Sequence, residues 1–215
     1  MIVLIDYGAG NVRSVHKALE AAGAEVTLTQ TPGPVAQADK VVLPGVGAFG
    51  DCMDSLRGAG LDVAIARAVE QGKPFLGICV GLQVLFDVGE EMGEHAGLGL
   101  LPGRVIRFDF SALPTDSAGF PAGDQLLKIP HTGWNQIEPA GESALLHGLP
   151  EGSWAYFNHA YYGQARQDHV LATTDYGFHF PSVVRRDNVY GIQFHPEKSQ
   201  EVGLHMLRNF VERVS

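Results

Sequence analysis

The chain has 215 residues, too many for one small core and too few for two typical domains, so residues 1–215 read as a single domain. Hydrophobic residues at 45%, charged residues at 18% and 27 glycines exclude disorder, collagen and coiled coil, and suit buried strands joined by tight turns. Fifteen Lys and Arg against 24 Asp and Glu give a net charge of −9, which argues against nucleic acid, and two cysteines are too few for a disulfide framework.

The apolar start Met1–Ile5 meets Asp6 before a signal-peptide core or membrane span could form, so a soluble, cytoplasmic chain without membrane contact is expected. Ile2–Asp6 is the first of several short apolar runs of the kind that fill a parallel sheet covered on both faces. Asn11 is placed to cap a helix in which Val12, Val15, Ala18, Leu19 and Ala22 share a face, and Gly23 to end it in a left-handed conformation. Glu25–Thr29 follows as a strand, Pro32-Gly33-Pro34 as a turn and Lys40–Leu43 as a strand. Leu61, Ala64, Ile65, Ala68 and Val69 define another helix, closed by Gly72. Pro74–Ile78 is the fourth strand, with a helix from about Val80.

Beyond Leu100 the runs around Arg104–Phe108, Leu126–Ile129, Ser153–Asn158, Val170–Thr174, Pro181–Val184 and Val189–Phe194 are separated by turns rather than long helices, which predicts antiparallel or mixed pairing. Ser111–Gly123, polar with two prolines and two glycines, reads as a surface loop. A final helix from about Gln200 carries Val202, Met206, Leu207, Phe210 and Val211 as one apolar stripe. The fold class is therefore α/β, parallel in the N-terminal half and mixed in the C-terminal half.

The most informative segment is Gly77-Ile78-Cys79-Val80-Gly81, a Gly-x-nucleophile-x-Gly sequence between an apolar strand and a predicted helix. A nucleophile on so sharp a turn needs neighbours without side chains, and the unpaired N–H groups and positive dipole end of the following helix favour a thiolate. The pentapeptide alone also fits a small buried cysteine in a glycine-rich turn. Cys52 has no such setting and is assigned to helix packing. A nucleophilic cysteine needs a base, and among nine histidines His195 stands out, directly after the strand Val189–Phe194. In an extended chain positions i and i+2 project to one side, so Glu197 can orient the His195 imidazole in a Cys-His-Glu triad, while Pro196 stops the strand.

Gly45 to Gly50 literally matches the Gly-x-Gly-x-x-Gly dinucleotide fingerprint after a strand. The acidic residue about 20 positions on is missing, because Asp62 and Glu70 lie within a helical stretch, and Asp51 stands where a Walker loop needs lysine. The alternative is that the backbone of Gly45, Val46 and Gly47, with the N–H of Val80, is aimed at a developing oxyanion. Val46, β-branched between two glycines, resists the backbone excursion they permit, so the donor is expected to be misaimed until a partner docks. The chain has no Cys-x-x-Cys and no His-Glu-x-x-His, and neither a metal nor a cofactor is expected.

Taken together, these residues resemble the class I (triad-type) glutamine amidotransferases, whose signature is a Gly-x-Cys-x-Gly elbow and a His-x-Glu near the C-terminus. Five segments narrow the likeness: Asp6 to Asn11, Pro44 to Phe49, Pro130 to Asn135, Tyr156 to Tyr161 and Gly191 to Ser199. The resemblance implies a three-layer fold with helices on both faces, Cys79 as nucleophile, His195 as acid and base, Glu197 as orienter, and Gln83 and Glu91 as contacts to L-glutamine. It implies that ammonia passes to a separate barrel-shaped cyclase subunit, HisF, as half of a heterodimer, with Asn11, His131, Trp134 and Lys198 near that partner or the ammonia path. Val80 stands where Leu is usual and Ala160 where a hydroxyl residue is usual. Alternatives at this point are a glutaminase serving pyridoxal phosphate, anthranilate or GMP synthesis, a non-catalytic module of the same fold, and a dinucleotide-binding enzyme.

Overall fold

In the computed structural model, residues 1–8, 10–111, 113 and 127–215 are described. The N-terminal half alternates strands β1 (Ile2–Ile5), β2 (Val26–Thr29), β3 (Lys40–Leu43) and β4 (Phe75–Ile78) with helices α1 (Val12–Ala21), α2 (Pro32–Gln37), α3 (Phe49–Gly58) and α4 (Leu61–Glu70). Then come the one-turn helix α5 (Val80–Gln83) and strands β5 (Phe86–Gly89), β6 (His95–Ala96), β7 (Leu101–Arg107), β8 (His131–Gln136) and β9 (Glu138–Pro139). Strands β10 (Trp154–His159), β11 (Tyr161–Ala165), β12 (Val170–Asp175), β13 (His179–Arg186) and β14 (Val189–Ile192) precede the closing helix α6 (Gln200–Glu212).

One sheet runs β2-β1-β3-β4-β14-β13-β12-β9. Its members from β2 to β14 are parallel, and β13, β12 and β9 add on antiparallel. The parallel strands β1, β4 and β14 are buried at every position, as their unbroken apolar sequences require when helices cover both faces. A four-stranded sheet β11-β7-β5-β6 and a pair β10-β8 complete the architecture. The α/β class, with a sheet parallel first and mixed later, matches the expectation.

Helices α1, α4 and α6 fall where the apolar stripes place them, burying Val15 and Leu19, Leu61 and Ile65, and Met206, Leu207 and Phe210. Gly23 and Gly72, at φ of 91° and 78°, end α1 and α4 as left-handed stops. Asn11 occupies the cap position of α1, but its side chain makes no cap bond; its backbone carbonyl instead accepts the N–H groups of Ser14 and Val15. Pro32-Gly33-Pro34, expected as a turn, opens α2, because a proline in the first turn has the helical φ and lacks only an N–H that needs no partner there.

Two other expectations need correction. The helix from Val80 stops after one turn, because Val84, Leu85 and Phe86 are all fully buried and no one-sided helix can hide three consecutive residues. The carbonyls of Val84 and Leu85 instead accept N–H groups from Leu98, Leu100 and Leu101, drawing this segment into the second sheet. In the run Leu126–Ile129 the first residue lies outside the described ones, and Leu127 to Ile129 form no strand. Lys128 gives its N–H to the Tyr176 hydroxyl at 3.0 Å and accepts that hydroxyl's proton at its carbonyl at 2.8 Å, so both groups are spent away from a ladder. Most of the Ser111–Gly123 loop also lies outside the described residues. Among the described residues, no helix is long and apolar enough to cross a membrane.

Candidate active site

Three neighbouring parallel strands deliver the predicted chemistry at their C-terminal ends. Leu43 of β3 is in register with Gly77 of β4, and Gly191 of β14 with that same Gly77. The next residues along each strand are therefore Pro44 to Gly47, Ile78 and Cys79, and Ile192 to His195, three distant segments carried to one edge. Open α/β sheets place their sites outside the carboxyl ends of the strands, which this arrangement obeys.

Cys79 sits between β4 and α5 at φ 56° and ψ −113°, a backbone conformation that L side chains rarely adopt. Its N–H donates to the Ile192 carbonyl at 2.8 Å, and its own carbonyl accepts from Leu82 and Gln83, which fixes the turn on both sides. The glycines around it answer to close approach. A Cβ at Gly77 would strike the Gly81 carbonyl, and one at Gly81 would strike the Leu43 carbonyl. A Cβ at Gly45 would lie 2.5 Å from the Gly81 nitrogen, so the β3 loop and the elbow lie backbone against backbone. Gly47 has φ 100°, while Val46 is 40% exposed beside it.

His195 follows β14 with its N–H bonded to the Tyr156 carbonyl at 2.9 Å and its ring nearly buried. Its Nδ1 lies 2.9 Å from Glu197 Oε1, and its ring lines the same cavity as Cys79. The other carboxylate oxygen of Glu197 is buried without a partner, so this acid is directed at a single ring nitrogen. Burial by itself would lower the His195 pKa; its interactions with Cys79 and Glu197 outweigh it and bring the group up to about 10. His195 thus keeps its proton at neutral pH, held by the Glu197 carboxylate. Cys52 contrasts with Cys79: it is buried on α3, and burial pushes its thiol up to about 12, in keeping with a packing role.

The sulfur opens onto a cavity of about 210 Å³ lined by Val46, Gly47, Cys79, Val80, Gln83, Glu91, His195 and Lys198, together with Pro130 and Asn158 to Tyr161. Eight residues singled out in the sequence therefore meet in one place. Gly45 and Glu197 stand just behind the lining, Gly45 against Gly81 and Glu197 against His195. Gln83 Nε2 donates to the Tyr161 carbonyl at 2.9 Å and to Gln193 Oε1 at 3.2 Å, which leaves its own oxygen to face the cavity. Glu91 Oε2 accepts the Phe49 N–H at 2.8 Å, so its carboxylate sits at the N-terminus of α3 with its charge favoured by the helix. Lys198 also reaches over the Tyr156 ring, 5.5 Å from the centroid.

The other predicted contacts separate. Trp134 is 44% exposed and lines an open hollow of about 550 Å³ together with Lys128 to Asn135, Trp154 and Tyr176. His131 lies at the base of that hollow but is buried, stacked on Tyr176 at 3.9 Å and on Phe157 at 4.7 Å between ring centroids. Asn11 lines neither the cavity nor the hollow. The wall Asn158 to Tyr161 received no assigned role from sequence. The signal available was the unusual run Tyr156-Phe157-Asn158-His159-Ala160-Tyr161, which puts polar residues inside an aromatic stretch. Among the described residues no group of three or more acidic, histidine or cysteine side chains could hold a metal ion.

The chain is similar to known proteins along nearly its whole length. Residues 3–214 match the family model for class-I glutamine amidotransferases. The chain is 52% identical over 211 residues to the imidazole glycerol phosphate synthase subunit HisH of Syntrophotalea carbinolica, covering 98% of each protein. It is 52% identical to the HisH subunit of Salinibacter ruber, over 98% of this chain and 93% of that protein, and 50% identical to that of Aquifex aeolicus, over 97% and 94%. The fold is shared with the structure of PurLQS from Thermotoga maritima, at TM-score 0.75 and 19% identity over 100% of this chain and 98% of that one. A crystal structure of a glutamine amidotransferase gives TM-score 0.72 at 22% identity, with 99% and 98% covered.

Proposed function

Since the chain belongs to the class-I glutamine amidotransferases, we propose that it works as the glutaminase subunit of an imidazole glycerol phosphate synthase in histidine biosynthesis. It hydrolyses L-glutamine to glutamate and ammonia and passes the ammonia to a separate cyclase subunit, HisF, with which it forms a heterodimer. Residues 1–215 act as one glutaminase domain. The full-length likeness to HisH subunits favours this over glutaminases of pyridoxal phosphate, anthranilate or GMP synthesis.

The observation that carries the chemistry is the strained Cys79 turn facing a buried His195–Glu197 pair across one cavity. The thiolate attacks the side-chain amide carbon, and the negative charge that appears on oxygen is met by backbone N–H groups of the Val46–Gly47 segment and of Val80. His195, already protonated, gives its proton to the departing nitrogen. The thioester left on Cys79 is then hydrolysed by a water that the same imidazole, now neutral, deprotonates. Glu197 keeps the ring in the orientation that presents one nitrogen to the sulfur throughout. Gln83 and Glu91, at the cavity wall, contact the amino-acid end of the substrate. Ammonia released into water would be protonated and useless as a nucleophile, so the product must leave towards a docked partner, past Lys198 and the Trp134 face.

The test is glutamate release by the two-subunit complex. Cys79→Ala is expected to abolish it, and His195→Ala to lower it by about 10³-fold or more. Glutamate release that survives Cys79→Ala overturns this mechanism. Copurification with a cyclase subunit rather than with another synthase discriminates the pathway.

A further inference from the structure

Behind the cavity wall runs a line of hydrogen bonds whose direction follows from the carbonyl at its end. The Tyr161 carbonyl can only accept, and it lies 2.8 Å from His159 Nδ1, so that nitrogen carries the proton. In a neutral ring His159 Nε2 is then an acceptor, and its neighbour at 3.2 Å is His131 Nδ1, which must donate. His131 Nε2 is in turn left to accept from Asn135 Nδ2 at 3.3 Å. The donors therefore run Asn135, His131, His159, ending on the Tyr161 carbonyl as acceptor, with each ring in its Nδ1–H form.

The surroundings hold both rings neutral. His131 is sandwiched between Tyr176 and Phe157, and His159 packs on Phe108 at 5.2 Å and Phe180 at 5.3 Å. Burial in this aromatic cage lowers His131 to about 4 and His159 to about 3, so neither gains the second proton that would reverse a bond of the line at neutral pH. The two ends matter. Asn135 and His131 line the hollow that contains Trp134, whereas His159 and Tyr161 line the cavity that contains Cys79. At its inner end the Tyr161 carbonyl is gripped twice, by His159 and by Gln83 Nε2.

We propose that His131 and His159 are positioning residues: a one-directional pair of Nδ1–H imidazoles that fixes the Tyr161 segment of the substrate wall and ties it to the Trp134 hollow. The proposal rests on the glutaminase reading for the identity of the cavity's occupant. A wall held by two donors presents Tyr161 and Gln83 at fixed positions to the substrate, and loss of the His131 N–H frees the ring of His159, one of those two donors, so that the wall relaxes and ground-state binding weakens more than the chemical step. Anything seated in the hollow that moves Asn135 or His131 shifts the same line.

Two measurements test this. Imidazole ¹⁵N spectra of the wild-type chain at pH 7, assigned with His131→Asn, are expected to show both rings as Nδ1–H tautomers. An Nε2–H tautomer or an imidazolium at either position overturns the line. In the two-subunit enzyme, His131→Phe keeps the aromatic stack and removes the donor; it is expected to raise KM for glutamine at least fivefold with kcat within threefold. His131→Asn restores an N–H near the Nδ1 position and is expected to bring KM back towards wild type. A wild-type KM in His131→Phe, or a loss confined to kcat, overturns the positioning role. If the wild-type complex releases no glutamate, the glutaminase reading fails instead, and the tautomers still decide whether the line exists.

Discussion

A single nitrogen–oxygen contact sets the character of the site at the scale of one residue. Glu197 spends one oxygen on His195 Nδ1 and keeps the other buried and unpaired, so its charge serves the imidazolium alone. Glu197→Gln should therefore lower kcat by roughly 10²–10⁴-fold, the span attributed to acid–base and ring-orienting groups, and move the alkaline limb of the rate profile to lower pH; a pH–rate series on the complex checks both. Stability should respond to pH with opposite signs on either side of neutrality. His195 is raised from 6.5 to about 10, so its contribution is full below about pH 6.5 and is lost as pH rises through about 10. His131 and His159 are lowered from 6.5 to about 4 and about 3, so theirs is full above about 6.5 and is lost as pH falls towards those values. Urea unfolding from pH 4 to 10 should trace a dome with its top near pH 6.5, and His159→Phe should flatten its acid side only. The Cys79 turn and the His195–Glu197 contact were legible in the sequence because each stands in a short, rigid motif. The pairing of His131 with His159 was not, since nothing local to either residue tells which distant ring it will meet.

At the scale of elements, the elbow works because three backbones approach each other where no side chain intervenes. Gly81→Ala would drive a methyl into the Leu43 carbonyl, backbone against backbone, with no flexible side chain to give way. Its expected cost is about 1–3 kcal/mol, a fall in Tm of several degrees, together with loss of glutamate release as the Pro44 to Gly47 loop is displaced from the elbow. Gly58→Ala provides the contrast. It lies at the end of α3 with open space around its Cβ position, and should be neutral or stabilise by up to about 0.5–1 kcal/mol. Calorimetry on the two variants separates steric from conformational effects. Boundaries of α1, α4 and α6 followed from apolar periodicity, which reports one buried face. Periodicity failed after Val80, where Val84 to Phe86 are buried on every side and the chain turns into a second sheet.

On the whole molecule, the Cys79 cavity and the Trp134 hollow share Pro130, so the glutaminase centre and the exposed aromatic face are adjacent surfaces. Trp134 and Trp154, 44% and 49% exposed, are large apolar groups left to solvent, a composition that suits an interface anchor. Trp134→Ala should weaken association with the cyclase subunit by about 2 kcal/mol, near thirtyfold in Kd, read by titration calorimetry. Glutamate release by the isolated chain should be far slower than in the complex loaded with the cyclase substrate, because Val46 is expected to leave the oxyanion donor misaimed until docking. Equal turnover in the two states would dispose of that idea.

By itself the sequence determined the four strands β1 to β4 and helices α1 and α4, the elbow around Cys79, the His195–Glu197 spacing and the family likeness, all properties of contiguous stretches in which local sterics and periodicity decide the outcome. Only the tertiary structure decided what non-local pairing controls: that the ends of β3, β4 and β14 meet, that Gln83 and Glu91 turn to one cavity while Asn11 does not, and that His131 is buried rather than displayed. Register between distant strands and the packing of rings against each other depend on the whole chain having closed around them, and no window of neighbouring residues carries that information.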